Sequence, residues 1–251
     1  MSWAAHDFET YVLQRHLGLK VSFIAILAGT YTPDAFTKWY VYGVSKGPID
    51  FGASEPAQFH RGWPGAGFTH SILLIAVVAG LVFLFTKSKP WAVGIFVGGL
   101  AHNVTDTSDT VGTMLLWPFW NENISTGFWA YAAEVGRYDD AGAYYSSLGV
   151  VMDTLWLVIA LAHFEVFRER YFWNVVVKAD PRVWGKIGEY MPDRAMVALY
   201  RAGMFYGVTR LIFWTSWAHI ANDYAWDLSW GGPDWIPAAH LLLPVLLLPN
   251  W

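Results

Sequence analysis

Imidazoles and carboxylates at helical spacing are the residues in this chain best suited to chemistry. In His102-Asn-Val-Thr-Asp106-Thr-Ser-Asp109, positions four apart on a helix share a face. His102 and Asp106 therefore point the same way, and Asp109, three residues further on, is placed to join them. The stretch follows an apolar run and exits through Gly112 and Trp117-Pro118-Phe119. In apolar surroundings such groups are costly unless paired, hydrated or bound to a metal. The chemistry they suit is coordination of a divalent cation. The competing reading is a polar cluster that seals a helix bundle by hydrogen bonds.

Three further places supply partners. Phe59-His60-Arg61-Gly62 leads through a Gly/Pro-rich turn to Thr69-His70-Ser71. Thr69 is read as the N-cap of the next helix, with His70 in its first turn, where the helix dipole disfavours imidazolium and keeps the ring neutral, as a ligand must be. Arg61 is a fixed cation suited to an anion such as a phosphate; alternatively, His60 and Arg61 bond loop carbonyls. Thr32-Pro33-Asp34 ends an early apolar segment, with Pro33 read as stopping the helix and projecting Asp34. His6 is the last piece. If Gly18 breaks the first helix, residues 3–16 and 21–31 form a hairpin that returns Asp34 to the height of His6. A single through-helix would hold them about 40 Å apart at 1.5 Å per residue.

The elements that position these groups belong to a membrane protein. Of 251 residues, 55% are hydrophobic, 18% aromatic and only 14% charged, against roughly 25% charged in a soluble domain. Mean hydropathy is +0.31. The net charge of −4 offers no footprint for a phosphate backbone and excludes nucleic acid as a partner. Cysteine is absent, so a metal site must use His, Asp and Glu. Apolar runs at 71–85, 91–101, 148–164, 196–220 and 237–249 predict an all-α integral membrane bundle with about five to seven embedded helices, some short or re-entrant. Residues 1–251 read as one membrane domain, with the motifs in 1–120 and further helices in 121–251. The N-terminus lacks a signal-peptide pattern. Basic residues at Arg15, Lys20, Lys87, Lys89 and 168–186 predict cytoplasmic loops and put the site on the outer side. Trp- and Tyr-rich stretches at 117–131 and 224–235 suit a bilayer surface, or contact with another membrane protein. Asp153 lies within an apolar run and is read as neutralised by Arg210 or Arg201, or as a member of the site. His219-x3-Asp223 repeats the His102–Asp106 spacing, either completing a metal site or serving as a cap. His163 reads as structural.

Taken together, Pro33-Asp34, His60-Arg61-Gly62, Thr69-His70-Ser71, His102-x3-Asp106, Gly112 and Trp117-Pro118-Phe119 resemble the bacterial LexA-regulated, membrane-bound metal-dependent hydrolase family over about residues 6–120. In that family's pattern the His-Arg-Gly and Thr-His-Ser pieces are compact, whereas here Trp63–Phe68 stand between them. The resemblance implies His70, His102, Asp106 and Asp34 as metal ligands, with His6 as the early histidine. It implies residence in the bacterial inner membrane.

Imidazoles and carboxylates without thiols fit Zn²⁺ first, with Mn²⁺ or Fe²⁺ as alternatives. The expected reaction is hydrolysis of a phosphoester or acyl ester, with a bilayer lipid as substrate. Asp109 or Asp106 would take the proton of the attacking water, and Arg61 would steady the developing anion. The alternative function is a non-catalytic membrane scaffold subunit that keeps a hydrolase-like metal or cofactor site.

Overall fold

The computed structural model describes residues 4–35, 44–46, 49–51, 67–128 and 139–228. His60, Arg61, the apolar run 237–249 and parts of both aromatic stretches lie outside the described residues.

The chain begins with a helical hairpin. Helix α1 (Ala5–Leu17) ends where Gly18 takes φ 55°, a conformation that suits a residue without Cβ. The Gln14 side chain donates to the Gly18 carbonyl at 2.8 Å. A three-residue 3₁₀ turn, Gly18–Lys20, leads to α2 (Phe23–Ala35), which runs back beside α1. Pro33 does not stop α2. It lies in the last turn, where its missing N–H removes one bond without ending the helix, and Asp34 is still helical.

A second hairpin follows. Helix α3 (Ile72–Thr86) is capped by Ser71, whose hydroxyl accepts from Leu74 N, and it ends at Lys87 in a left-handed conformation. The expected cap, Thr69, is instead in a 3₁₀ turn (Phe68–His70) ahead of the helix, because Ser71 is the residue with extended backbone at the boundary. Helix α4 (Lys89–Thr105) starts with Pro90 in its first turn and packs along α2 at very short range. A Cβ built on Gly98 would lie 2.2 Å from the Ile26 carbonyl oxygen, and one on Gly29 would lie 2.4 Å from that of Ile95. The two backbones meet through glycine, as in small-residue packing of membrane helices.

Helices α5 (Asp139–Tyr145), α6 (Leu148–Ala162), α7 (Pro181–Gly188) and α8 (Asp193–Ser216) follow, with an irregular helical run over 169–179. Phe8, Tyr11, Phe172, Trp184 and Tyr200 form the centre of their shared core. A small antiparallel pair, β1 (Val44–Lys46) with β2 (Ile49–Phe51), is the exception to an otherwise helical architecture among the described residues.

Burial is reversed relative to a water-soluble fold. Polar residues of α1, namely His6, Asp7, Glu9, Thr10 and Gln14, are buried. Leu73, Val77, Leu81 and Leu84 of α3 and Phe205, Ile212 and Phe213 of α8 are exposed, with Phe85 at 84%. So much apolar surface facing outward marks contact with something other than water. The expected spans need correcting, however. Among the described residues no helix is long and apolar enough to cross a membrane. Helix α3 is strongly apolar but has only 15 residues, about 22 Å at 1.5 Å per residue, against roughly 30 Å of hydrocarbon. Helix α8 has 24 residues but carries Asp193, Arg194, Arg201 and Arg210.

Candidate metal centre

The two hairpins bring five chemistry-bearing ends together: the start of α1, the end of α2, the turn before α3, and the end of α4 with the turn after it. The basic residues Arg15, Lys20, Lys87 and Lys89 are at the opposite ends of the same helices. Helix α4 places His102 in its last turn and Asp106 as its C-cap, with His102 Nε2 3.3 Å from Asp106 Oδ2. The four-residue spacing thus acts as the sequence implied. His70 enters from its 3₁₀ turn, with Nε2 3.4 Å from Asp106 Oδ2 and 3.3 Å from His102 Nε2. Asp34 arrives from α2, with Oδ1 3.5 Å from His70 Nε2 and 3.7 Å from His102 Nε2.

One donor atom from each of Asp34, His70, His102 and Asp106 therefore lies within 4.8 Å of all the others. Four ligands held at 2.0–2.1 Å around a tetrahedral ion are separated by about 3.3–3.4 Å. Of the six edges between these atoms, the five that involve an imidazole nitrogen are 3.3–3.7 Å. The donor set, two imidazole nitrogens and two carboxylate oxygens without sulfur, suits Zn²⁺ or Mn²⁺. Burial supports the same reading. His70, His102 and Asp106 are fully buried, whereas the Asp34 side chain is 16% exposed and opens the cluster to the surface. A fully buried carboxylate, Asp106, and a second at the opening, Asp34, set against two buried imidazoles favour a bound cation.

Surrounding groups orient the donors. Thr69 Oγ1 lies 2.9 Å from His70 Nδ1, which turns Nε2 of that ring inward. His6 stacks on His102 with ring centroids 4.1 Å apart, and its Nε2 is 3.7 Å from Asp106 Oδ1. Glu9, which the sequence reading passed over, is fully buried. Its carboxylate lies 3.2 Å from His6 Nδ1 and accepts from Thr105 Oγ1 at 2.5 Å. The available signal was spacing, since Glu9 is three residues after His6 on one helix.

Other expected members fall elsewhere. Asp109 is not among the four clustered residues; its carboxylate accepts from Gly112 N at 2.6 Å in a tight turn. There, a Cβ on Gly112 would lie 2.1 Å from the Ile124 carbonyl oxygen. That turn, paired to residues 124–128 through Thr113–Ile124, Thr107–Thr126 and Ser108–Phe128, closes the loop after α4. Arg61, the expected anion clamp, is outside the described residues. Asp153 pairs with neither Arg210 nor Arg201. It accepts from Ala4 N, Ala5 N and the hydroxyls of Tyr144 and Tyr145 at 2.8–3.0 Å, and so caps the start of α1 from another helix. Arg210 instead pairs with Asp7 at 2.9 Å, and Arg201 donates to the Phe167 carbonyl. His219 lies against the carbonyls of Tyr224 and Tyr145 and is not in the cluster. His163 is at the far end of α6, edge-on to His16.

A family model described as YdjM inner membrane protein matches residues 12–172. The matched span includes Asp34, His70, His102 and Asp106, and begins after His6 and Glu9. It agrees with the resemblance read from the motifs as far as a bacterial membrane protein family. No curated protein and no solved structure matches the chain.

Proposed function

The chain belongs to the YdjM inner membrane protein family, and on that footing we propose that it is a membrane-bound, metal-dependent hydrolase acting on a phosphoester or acyl ester of a lipid. The observation that carries this reading is the near-tetrahedral spacing of Asp34, His70, His102 and Asp106. A divalent ion bound there would supply Lewis acidity and, by taking a water as a further ligand beyond the four side chains, would lower the pKa of that water toward about 7.

The chain's own residues do the rest. Thr69 and Glu9 fix the rings of His70 and His6. Asp34, partly exposed, marks the entrance. Apolar side chains gather at the end of the molecule that carries the cluster. Ile72 N, next to the His70 turn, donates to the Leu115 carbonyl, and the turn that follows exposes Leu116, Phe119 and Trp120. Ile220, Trp226 and Leu228, beyond the C-terminal end of α8, are exposed too. Aromatic and aliphatic groups around a polar opening suit a bilayer surface, where one end of a substrate is apolar and the other wet. The reading includes a multi-pass arrangement in the inner membrane, with the basic helix ends cytoplasmic and the centre facing outward.

The test begins with the detergent-purified full chain. Elemental analysis is expected to find Zn or Mn in it, and His102→Ala and Asp106→Ala are expected to lose that metal. The metal-loaded wild type should hydrolyse phospholipid or acyl-ester lipids in mixed micelles, and the same two variants should be inactive. A wild type that holds no divalent metal after supplementation refutes the proposal, as does activity that survives both substitutions.

A further inference from the structure

We propose that the pocket holds a second divalent cation, bound by His6 Nε2 and Asp106 Oδ1, so that Asp106 bridges two ions. This rests on the reading of the four-residue metal centre above and extends it.

The argument starts from the two faces of one carboxylate. Asp106 Oδ2 is directed at His70 and His102, at 3.4 and 3.3 Å. Its other oxygen, Oδ1, is directed at His6 Nε2, at 3.7 Å. His6 does not belong to the four-residue group, so it requires its own account. Its ring is 3% exposed, and Nε2 is buried with no hydrogen-bond partner. A distance of 3.7 Å to a carboxylate oxygen is too long for a hydrogen bond, but it is close to the separation of two donors that share one ion.

The other nitrogen of the same ring is fixed. Nδ1 lies 3.2 Å from Glu9 Oε2, and Glu9 Oε1 accepts from Thr105 Oγ1. A carboxylate on one imidazole nitrogen sets the tautomer so that the opposite nitrogen presents a lone pair, which is the usual outer-shell arrangement behind a metal-bound histidine. Thr105 immediately precedes Asp106, so Glu9 ties the ring and the bridging carboxylate to one another.

Charge points the same way. Asp34, Asp106 and Glu9 place three carboxylates around this pocket, two of them fully buried. One divalent ion leaves an excess of one negative charge, whereas two ions reverse it, which suits an anionic substrate group. Carboxylate-bridged pairs about 3.5–4 Å apart clamp the attacking and leaving oxygens of phosphoester displacement. The two protein donors at the second position leave the rest of that ion's coordination to water and substrate oxygens. A phosphoester is thereby favoured over an acyl ester.

The experiment is Mn²⁺ loading of the detergent-purified full chain, followed by elemental stoichiometry and electron paramagnetic resonance. The expected result is two Mn per wild-type chain at saturation, with the spectrum of an exchange-coupled pair. His6→Asn should hold one Mn with the six-line spectrum of an isolated ion, and Glu9→Gln should weaken uptake of the second Mn by about 10- to 100-fold. One Mn per wild-type chain, with an isolated-ion spectrum at every loading, overturns the second site and leaves the four-residue centre standing. No Mn in the wild type overturns both. Two coupled Mn in both wild type and His6→Asn overturns the assignment of His6.

Discussion

The contact between α2 and α4 is where a single methyl group should disturb the centre most plainly. Gly98→Ala would place a Cβ 2.2 Å from the Ile26 carbonyl oxygen and 2.9 Å from Thr30 N. Both are backbone atoms, so no side chain can swing aside. To open 2.2 Å to the 3.0 Å that real Cβ contacts require, α2 must recede by about 0.8 Å. Thr30 is one turn before Asp34, and the shift is carried to that carboxylate. Metal sites tolerate displacements of roughly 0.2 Å in ligand distance, so Asp34 would be pulled out of range while His70, His102 and Asp106 stay together. The expected cost is about 1–3 kcal/mol from overpacking, together with a metal affinity lowered about tenfold or more. Gly80→Ala is the matched control. It sits within α3 with nothing within 4 Å of its built Cβ, and should stabilise by up to about 1 kcal/mol through helix propensity. Thermal unfolding of both variants in detergent, with chelator and with Zn²⁺, reads both effects. If Gly98→Ala unfolds at the wild-type temperature and keeps wild-type metal affinity, the glycine contact does not position Asp34.

Further outcomes follow from the same geometry. Stripping the metal with chelator should lower the melting temperature reversibly, because an ion bound only to the folded state at 100 times its Kd contributes about 2.7 kcal/mol; an unchanged melting curve would show that the cluster is not an occupied site. Acid should release the metal, since a protonated imidazole or carboxyl group cannot be a ligand; equilibrium dialysis over a descending pH series measures this, and retention that stays flat throughout would contradict histidine and aspartate ligation. Arg210→Met strips the buried Asp7 carboxylate of its ion-pair partner and leaves it only the Tyr31 hydroxyl, with an expected loss of up to about 3–5 kcal/mol, and adding Asp7→Asn should recover part of it; a double mutant no better than the single would rule out the ion pair as the cause. Asp153→Ala removes the acceptor of two helix N–H groups and two tyrosine hydroxyls, so α1 should fray, visible as faster amide exchange at Ala4 and Ala5 than in the rest of the helix.

What sequence alone could disclose followed the range of each interaction. His102 and Asp106 were legible because a single turn of one helix joins them, and no tertiary information is needed to see it. The return of Asp34 toward His6 was legible only as a choice, and it turned on whether Gly18 would break the helix; the left-handed φ at Gly18 decided it. Pro33 misled because proline in a final turn removes one bond and need not end the helix. Thr69 misled because Thr69 and Ser71 are both good caps, and the choice between them depends on where the incoming chain straightens. Asp153 was beyond reach altogether: its donors come from residues about 150 positions away and from a tyrosine pair, and charge pairing with an arginine was the wrong model for a carboxylate that caps a helix from outside. Membrane character was legible in composition, and so was the break at Lys87, Ser88 and Lys89 between the apolar runs 71–85 and 91–101; what the runs did not disclose is that no helix among the described residues is long and apolar enough to cross a membrane. Glu9 carries the general lesson. Its residue type and spacing were in plain view, but in isolation a glutamate three residues after a histidine reads as a solvated helix face. Only the folding of α1 into the centre of the bundle, with its polar residues inward, gives that carboxylate a ring to orient and a reason to be buried.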